Sequence, residues 1–252
     1  MDVKGLAAVV TGAGSGLGAA AARALAAAGA KVTLLDVNQQ AAEAVAKEIG
    51  GLAIVCDVSS ADSAERAMAQ AKAAHGPCRV LVNCAGIAPA GRVVGRDGPM
   101  ALDAFKKVID INLIGSFNLL RLAAAEMAGA DPLNEDGERG VIISTASIAA
   151  VEGQFGQAAY AASKAGIIGM MLPAARELCR SGIRVMTIAP GLIGTPLLLN
   201  MPQEVQDNLA QQVPFPKRFG KPEEYADVVM HIVGNAMLSA DTIRLDGGMR
   251  MQ

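Results

Sequence analysis

The sequence has no tryptophan, two tyrosines, five phenylalanines, two histidines and four cysteines in 252 residues. The cysteines, Cys56, Cys78, Cys84 and Cys179, form no CxxC pair, and neither His75 nor His231 has a carboxylate or cysteine at ligand spacing. No metal site is expected, and the thiols read as small buried hydrophobes in a reducing compartment. A basic surplus is missing as well: 22 Lys and Arg stand against 24 Asp and Glu. Binding to a phosphate backbone needs such a surplus, so nucleic acid is not an expected partner. No Pro/Ser-rich or charge-dense stretch divides the chain, and its length suits one large α/β domain.

Apolar residues are plentiful. The uncharged run Gly5 to Ala22 could pass for a leader or a membrane span, but five of its eighteen residues are glycine and Asp2 precedes it. A buried strand followed by a glycine loop fits better, so neither a cleaved leader nor a membrane span is expected, and the cytoplasm is the expected location. Apolar runs recur as GLAAVVT, KVTLLD, LAIVCD, CRVLVN, GVIIST, IRVMTIAP and TIRLDGG. Helical periodicity between them, over 18–28, 62–74, 103–128 and 157–179, gives repeated βαβ alternation. Continuous apolar strands are buried on both faces, which predicts a single doubly wound domain with a seven-stranded, mostly parallel sheet and helices on both sides. The polar stretch 129–140 reads as a solvated loop, and 91–100 as either a site rim or a surface insertion.

TGAGSGLG at 11–18 stands between the first strand and an alanine-rich helix. Glycines there let the backbone approach a pyrophosphate at the helix N-terminus. Asp36 ends the second strand, where a carboxylate can accept hydrogen bonds from an adenosine ribose and repel a 2′-phosphate. No Lys or Arg occupies Ser15 or Val37, so NAD is the expected cofactor.

Tyr160 and Lys164 are four residues apart on a helical pattern and share a face. An ammonium roughly 5 Å from a phenol offers on the order of 3 kcal/mol toward phenolate. Tyr160 is thereby expected to act as general base in alcohol oxidation and general acid in the reverse direction. Ser147, after the fifth strand, can hydrogen-bond a substrate oxygen, and Asn112 can anchor a proton-relaying water.

TGAGSGLG, Asp57-Val58, NCAG at 83–86, Asn112, Ser147 and YAASK at 160–164 resemble the short-chain dehydrogenase/reductase family across essentially the whole chain. The resemblance implies Asn112, Ser147, Tyr160 and Lys164 as catalytic residues. It also implies contacts to the dinucleotide from Gly12, Ser15, Gly16, Leu17, Gly18, Asp36, Asp57, Val58, Cys84, Ala85, Gly86, Tyr160, Lys164, Ile193 and Thr195. Cys84 departs from the commoner NNAG form. VIISTASIAAVEGQFGQAAYAASK, QVPFPKRFGKPEEYADVV and IRLDGGMRMQ are similar to a narrower group, the type 2 3-hydroxyacyl-CoA dehydrogenases. That group implies an NAD-dependent homotetramer acting on acyl-CoA or steroid-like alcohols.

The segment 192–219 is rich in Leu, Met, Pro and Phe without a sustained helical pattern and can close over an apolar substrate. Leu197, Leu198, Met201 and Phe215 are candidate pocket walls, and Gln157 can polarise a substrate carbonyl. Arg92, Arg96, Lys217 and Arg218 are cations in expected rim loops, and ordinary solvated charge accounts for each of them better than phosphate contact. The competing readings are a dehydrogenase of another secondary alcohol and a non-catalytic dinucleotide sensor or RNA-processing subunit. The intact Ser-Tyr-Lys set and the acidic balance weigh against the latter pair.

Overall fold

The computed structural model of the protein describes residues 1–251, apart from the side chain of Leu197. The first half alternates β1 (Ala7–Thr11), α1 (Gly16–Ala27), β2 (Lys31–Asp36), α2 (Gln39–Ile49), β3 (Leu52–Val55), α3 (Ala61–His75) and β4 (Cys78–Asn83). A small hairpin of β5 (Val94–Gly95) and β6 (Gly98–Pro99) precedes α4 (Leu102–Ile109), a π-helical turn (Asp110–Ile114) and α5 (Gly115–Ala128). The second half contains β7 (Gly140–Thr145), α6 (Ala149–Glu152), α7 (Ala158–Leu178), β8 (Ile183–Pro190), α8 (Pro196–Leu199), α9 (Gln203–Gln211), α10 (Pro222–Gly234) and β9 (Thr242–Leu245).

Seven strands form one parallel sheet in the order β3-β2-β1-β4-β7-β8-β9. The apolar runs are continuous because alternate residues enter different cores. Val80 and Val82 pack with α1 and α10, whereas Leu81 between them packs with α3, α5 and α7. Each such side chain, fully withdrawn from water, contributes about 1.5–3 kcal/mol. The strand order reverses between β1 and β4, which opens a crevice at the carboxyl ends of these two strands.

The stretch Leu102–Ala128 is long and apolar enough to cross a membrane, yet half of its most apolar window is buried in the fold, as in a core helix. Three local expectations are corrected. The stretch 129–140 is not wholly solvated: Glu138 is buried and accepts from Arg184 Nε at 2.8 Å, so a charge in a polar loop is used to tie β7 to β8. The segment 192–219 contains the nine-residue helix α9, whose polar sequence masks its periodicity. Gln206 Nε2 fastens that helix by donating to the carbonyls of Leu199 and Met201 at 2.9 and 2.7 Å. Cys179 is exposed rather than buried.

Candidate active site

The glycine loop joins β1 to α1 along the crevice. Gly12 has φ +60°, and a Cβ there would come within 2.8 Å of the Ala85 backbone, so the loop lies directly on the chain leaving β4. Gly16 has φ +52°, and its missing Cβ leaves room for Thr195, 3.2 Å away. The first intrahelical bond of α1 runs from Ala19 N–H to Ser15 C=O. The N–H groups of Gly16, Leu17 and Gly18 thus precede the helical ladder and can meet an anion. Ser15 caps the helix by backbone geometry alone. Asp36, at the end of β2, accepts from Gly14 N–H and Asn38 N–H, both at 2.9 Å, which fixes the carboxylate beside the loop.

Farther along the same edge, Asp57 Oδ1 accepts from the Ser59 N–H and hydroxyl at 3.0 and 2.6 Å. Val58 is buried against Gly115, which leaves its backbone rather than its side chain to meet a planar base. Opposite these, the Thr11 hydroxyl accepts from both Cys84 N–H and Ala85 N–H at 3.0 Å. Thr11 was not foreseen as a site residue, although its place at the head of the glycine motif was the available signal. The glycine cradle, the uncapped helix start and the fixed carboxylate fit a dinucleotide.

Gly86 brings this edge to the chemistry. A Cβ on Gly86 would lie 3.2 Å from Asn112 Oδ1 and 3.6 Å from Lys164 Nζ. Asn112 sits on the π-helical turn with no exposed surface. Its amide accepts from Ile87 N–H at 2.8 Å and donates to Ile87 C=O at 2.9 Å and Ser163 Oγ at 3.0 Å. The Asn112 side chain therefore clamps the loop after β4 to α7. Ser163 donates in turn to the Tyr160 carbonyl at 2.7 Å. Ser163 lies three residues beyond Tyr160, and nothing in its spacing marked it.

Ser147, just past β7, shares a hydrogen bond with the Tyr160 phenol. Lys164 Nζ lies 5.8 Å from the Tyr160 ring centre and donates to Thr145 C=O at 2.7 Å. The structure brings Ser147, Tyr160, Lys164 and Asn112 together at one strand edge. Their electrostatics differ from expectation. Burial pushes the Tyr160 phenol above its ordinary value, and the Ser147 hydrogen bond only partly opposes this. Lys164 does not reverse the direction: its ammonium points to Thr145, and burial pushes its own pKa down to about 8. Desolvation disfavours both charged forms and outweighs their mutual attraction.

The segment after β8 lies over this edge at its beginning and leaves it at its end. Ile193 is buried and bridges Gly220, and Thr195 rests on Gly16. Leu198 is partly buried and Met201 is partly exposed. Phe215 is 81% exposed, with its backbone N–H bonded to Gly247, so the structure does not bring it to the other expected wall residues. The Leu197 side chain lies outside the described residues. Gln157 Oε1 accepts from Gln154 N–H at 2.9 Å, which ties its carbonyl end to the turn before α7.

Known proteins share this arrangement. The family profile for short chain dehydrogenases matches residues 6–206. A 3-hydroxyacyl-CoA dehydrogenase type-2 of Homo sapiens is 52% identical, over 99% of this chain and 97% of its own length. The protein of the same name from Drosophila melanogaster is 46% identical over 99% of each chain. The crystal structure of 3-hydroxyacyl-CoA dehydrogenase type-2 from Mycobacterium avium superimposes with a TM-score of 0.93 at 42% identity, covering 98% of this chain and 97% of that one. With the profile spanning most of the chain and the glycine loop, Ser147, Tyr160 and Lys164 on one sheet edge, this protein belongs to the short-chain dehydrogenase family.

Proposed function

We propose that the protein is an NAD-dependent dehydrogenase that interconverts 3-hydroxyacyl-CoA and 3-oxoacyl-CoA. The observation that carries this reading is the Ser147–Tyr160 hydrogen bond beside buried Lys164, in a chain similar over its full length to 3-hydroxyacyl-CoA dehydrogenases type-2. The nicotinamide, when bound, supplies the acceptor or donor of hydride. Gly12, Ser15, Gly16, Leu17 and Gly18 would hold its pyrophosphate, Asp36 the adenosine ribose, and Asp57 and Val58 the adenine. Cys84, Ala85 and Gly86 would lie along it, Lys164 and Tyr160 would hold the second ribose, and Ile193 and Thr195 would meet the carboxamide.

Burial keeps Tyr160 as the neutral phenol, the form that donates a proton to the oxygen of a 3-oxo substrate. Ser147 Oγ holds that oxygen in place. In the oxidative direction Tyr160 Oη takes the hydroxyl proton, and the cost of forming phenolate is offset in part by the Lys164 ammonium. For charges roughly 5 Å apart at an effective dielectric of about 20, such an attraction is worth about 3 kcal/mol. The carboxylate of Asp36, already held by two backbone N–H groups, supports NAD over NADP because a 2′-phosphate would meet a fixed negative charge.

The outward apolar side chains of Leu102 on α4, Ile114 on the π-helical turn and Phe117 on α5, together with Leu172 on α7, support assembly into a homotetramer through these helices. Sedimentation of the purified protein tests this. Four free cysteines support action in the cytoplasm, and cell fractionation is the test. The activity is tested by NADH oxidation with acetoacetyl-CoA, beside Tyr160→Phe and an NADPH control, with a steroid panel as competitor. Rapid turnover lost in the variant and weak with NADPH supports the reading. Equal turnover by Tyr160→Phe, or turnover of steroids alone, overturns it.

A further inference from the structure

An acyl-CoA carries its phosphates many bonds from the reacting carbonyl, so anion contacts belong at the rim of the site rather than beside Tyr160. Four cations stand in the rim loops, and the structure divides them. Lys217 Nζ donates to Gln211 C=O at 2.9 Å, and Arg218 forms two hydrogen bonds with Glu224 at 2.7 and 2.9 Å. Both are consumed in fastening the segment after β8. Arg92 and Arg96 take no ion-pair partner among the described residues.

Arg92 is nevertheless held. Its guanidinium carbon lies 4.9 Å from the centre of the Phe155 ring, and Phe155 is itself 79% exposed. The neighbouring Gly91 N–H donates to Gly156 C=O at 2.9 Å, fixing the loop to the turn that leads into α7 and Tyr160. Met100 N–H donates to Val93 C=O at 2.9 Å and closes the β5–β6 hairpin. Around this hairpin is a cavity of about 310 Å³, lined by Gly91, Arg92, Arg96, Asp97 and Met100 among others. A guanidinium placed over a ring keeps its N–H donors free of a carboxylate partner, and that planar set of donors suits phosphate oxygens. Asp97, in the same hairpin, disfavours anions and leaves the two arginines to outweigh it.

We propose that Arg92, held on Phe155, and Arg96 form a recognition site for the phosphate groups at the nucleotide end of a CoA thioester. The site rests on the acyl-CoA reading of the function. It acts on binding, so its effect belongs in KM rather than kcat.

The test compares acetoacetyl-CoA with the acetoacetyl thioester of N-acetylcysteamine, which has the same reacting end and no phosphate. For Arg92→Ala/Arg96→Ala, kcat/KM with the CoA substrate is expected to fall about tenfold or more, as the loss of two solvent-exposed charge contacts implies. With the short thioester, kcat/KM should stay within about twofold of wild type, which also shows that the variant is folded. Phe155→Leu, which keeps both charges but removes the stacking surface, should show a smaller loss confined to the CoA substrate. Equal losses with both substrates, or no loss with acetoacetyl-CoA, would overturn the phosphate site. Failure of the wild-type protein to turn over either thioester would instead overturn the dehydrogenase reading on which it rests.

Discussion

The floor and the rim of the site are built by opposite means. On the floor, Asn112, Thr11, Ser163 and Lys164 are buried with their polar atoms hydrogen-bonded: Thr11, Asn112 and Lys164 reach backbone groups of other segments, and Ser163 links Asn112 to the Tyr160 carbonyl. At the rim and just beyond it, Arg92, Phe155, Met201 and Phe215 stand in solvent in loops and turns between short elements, with few cross-links. The floor sets the chemistry through satisfied hydrogen bonds, and the rim can vary because little else depends on it. Activity should therefore be fragile below and adjustable above.

The most severe break of this contrast is Lys164→Met. Turnover should fall by roughly 10²-fold or more, measured as kcat under saturating conditions. Stability should move the other way, rising by roughly 1–3 kcal/mol near pH 7 in denaturant titration, because a buried charge is removed. Lys164 in the folded protein has a pKa of about 8, below the unfolded value near ~10.4. Between those pH values the unfolded chain binds a proton that the folded chain lacks. Wild-type stability relative to Lys164→Met should thus climb through that window, and the gap should close above it.

Asn112→Ala comes next. It strands the N–H and C=O of Ile87, and about 2–4 kcal/mol of stability should be lost in the same titration. A smaller effect is expected from Asp36→Ala, which should relax the preference for NADH over NADPH by about tenfold in kcat/KM ratios. Smallest of all is Phe215→Ala at the rim, whose thermal midpoint should correspond to a change within about 0.5 kcal/mol. A large loss there would abolish the contrast between floor and rim.

The same contrast marks what was legible in the sequence. All seven strands could be read: burial on both faces makes each central strand a continuous apolar run, as in CRVLVN, and the less buried edge strands β3 and β9 still stand out as short runs between polar or glycine-rich stretches. Tyr160, Lys164 and Ser147 could be placed because helical spacing and strand ends dictate where side chains emerge. α9 escaped because QEVQDNLAQ presents mostly polar residues. Spacing also puts Lys164 near Tyr160 but says nothing of how much water surrounds the pair, and desolvation decides the direction of both pKa shifts. The Thr11 hydroxyl acts through backbone atoms more than seventy residues away, and no local pattern announces such partners.

Thr11 has a wider consequence. One oxygen atom receives two N–H groups from the chain that leaves β4, and the same residue begins the glycine loop. The loop that would hold the pyrophosphate and the chain that runs past Gly86 toward Lys164 therefore share this pin. Thermal displacement of one drags the other, so alignment errors are common-mode: both sides shift together and their separation is preserved. Redesign of the rim for a bulkier or shorter thioester can draw on that tolerance, provided the pin is left in place.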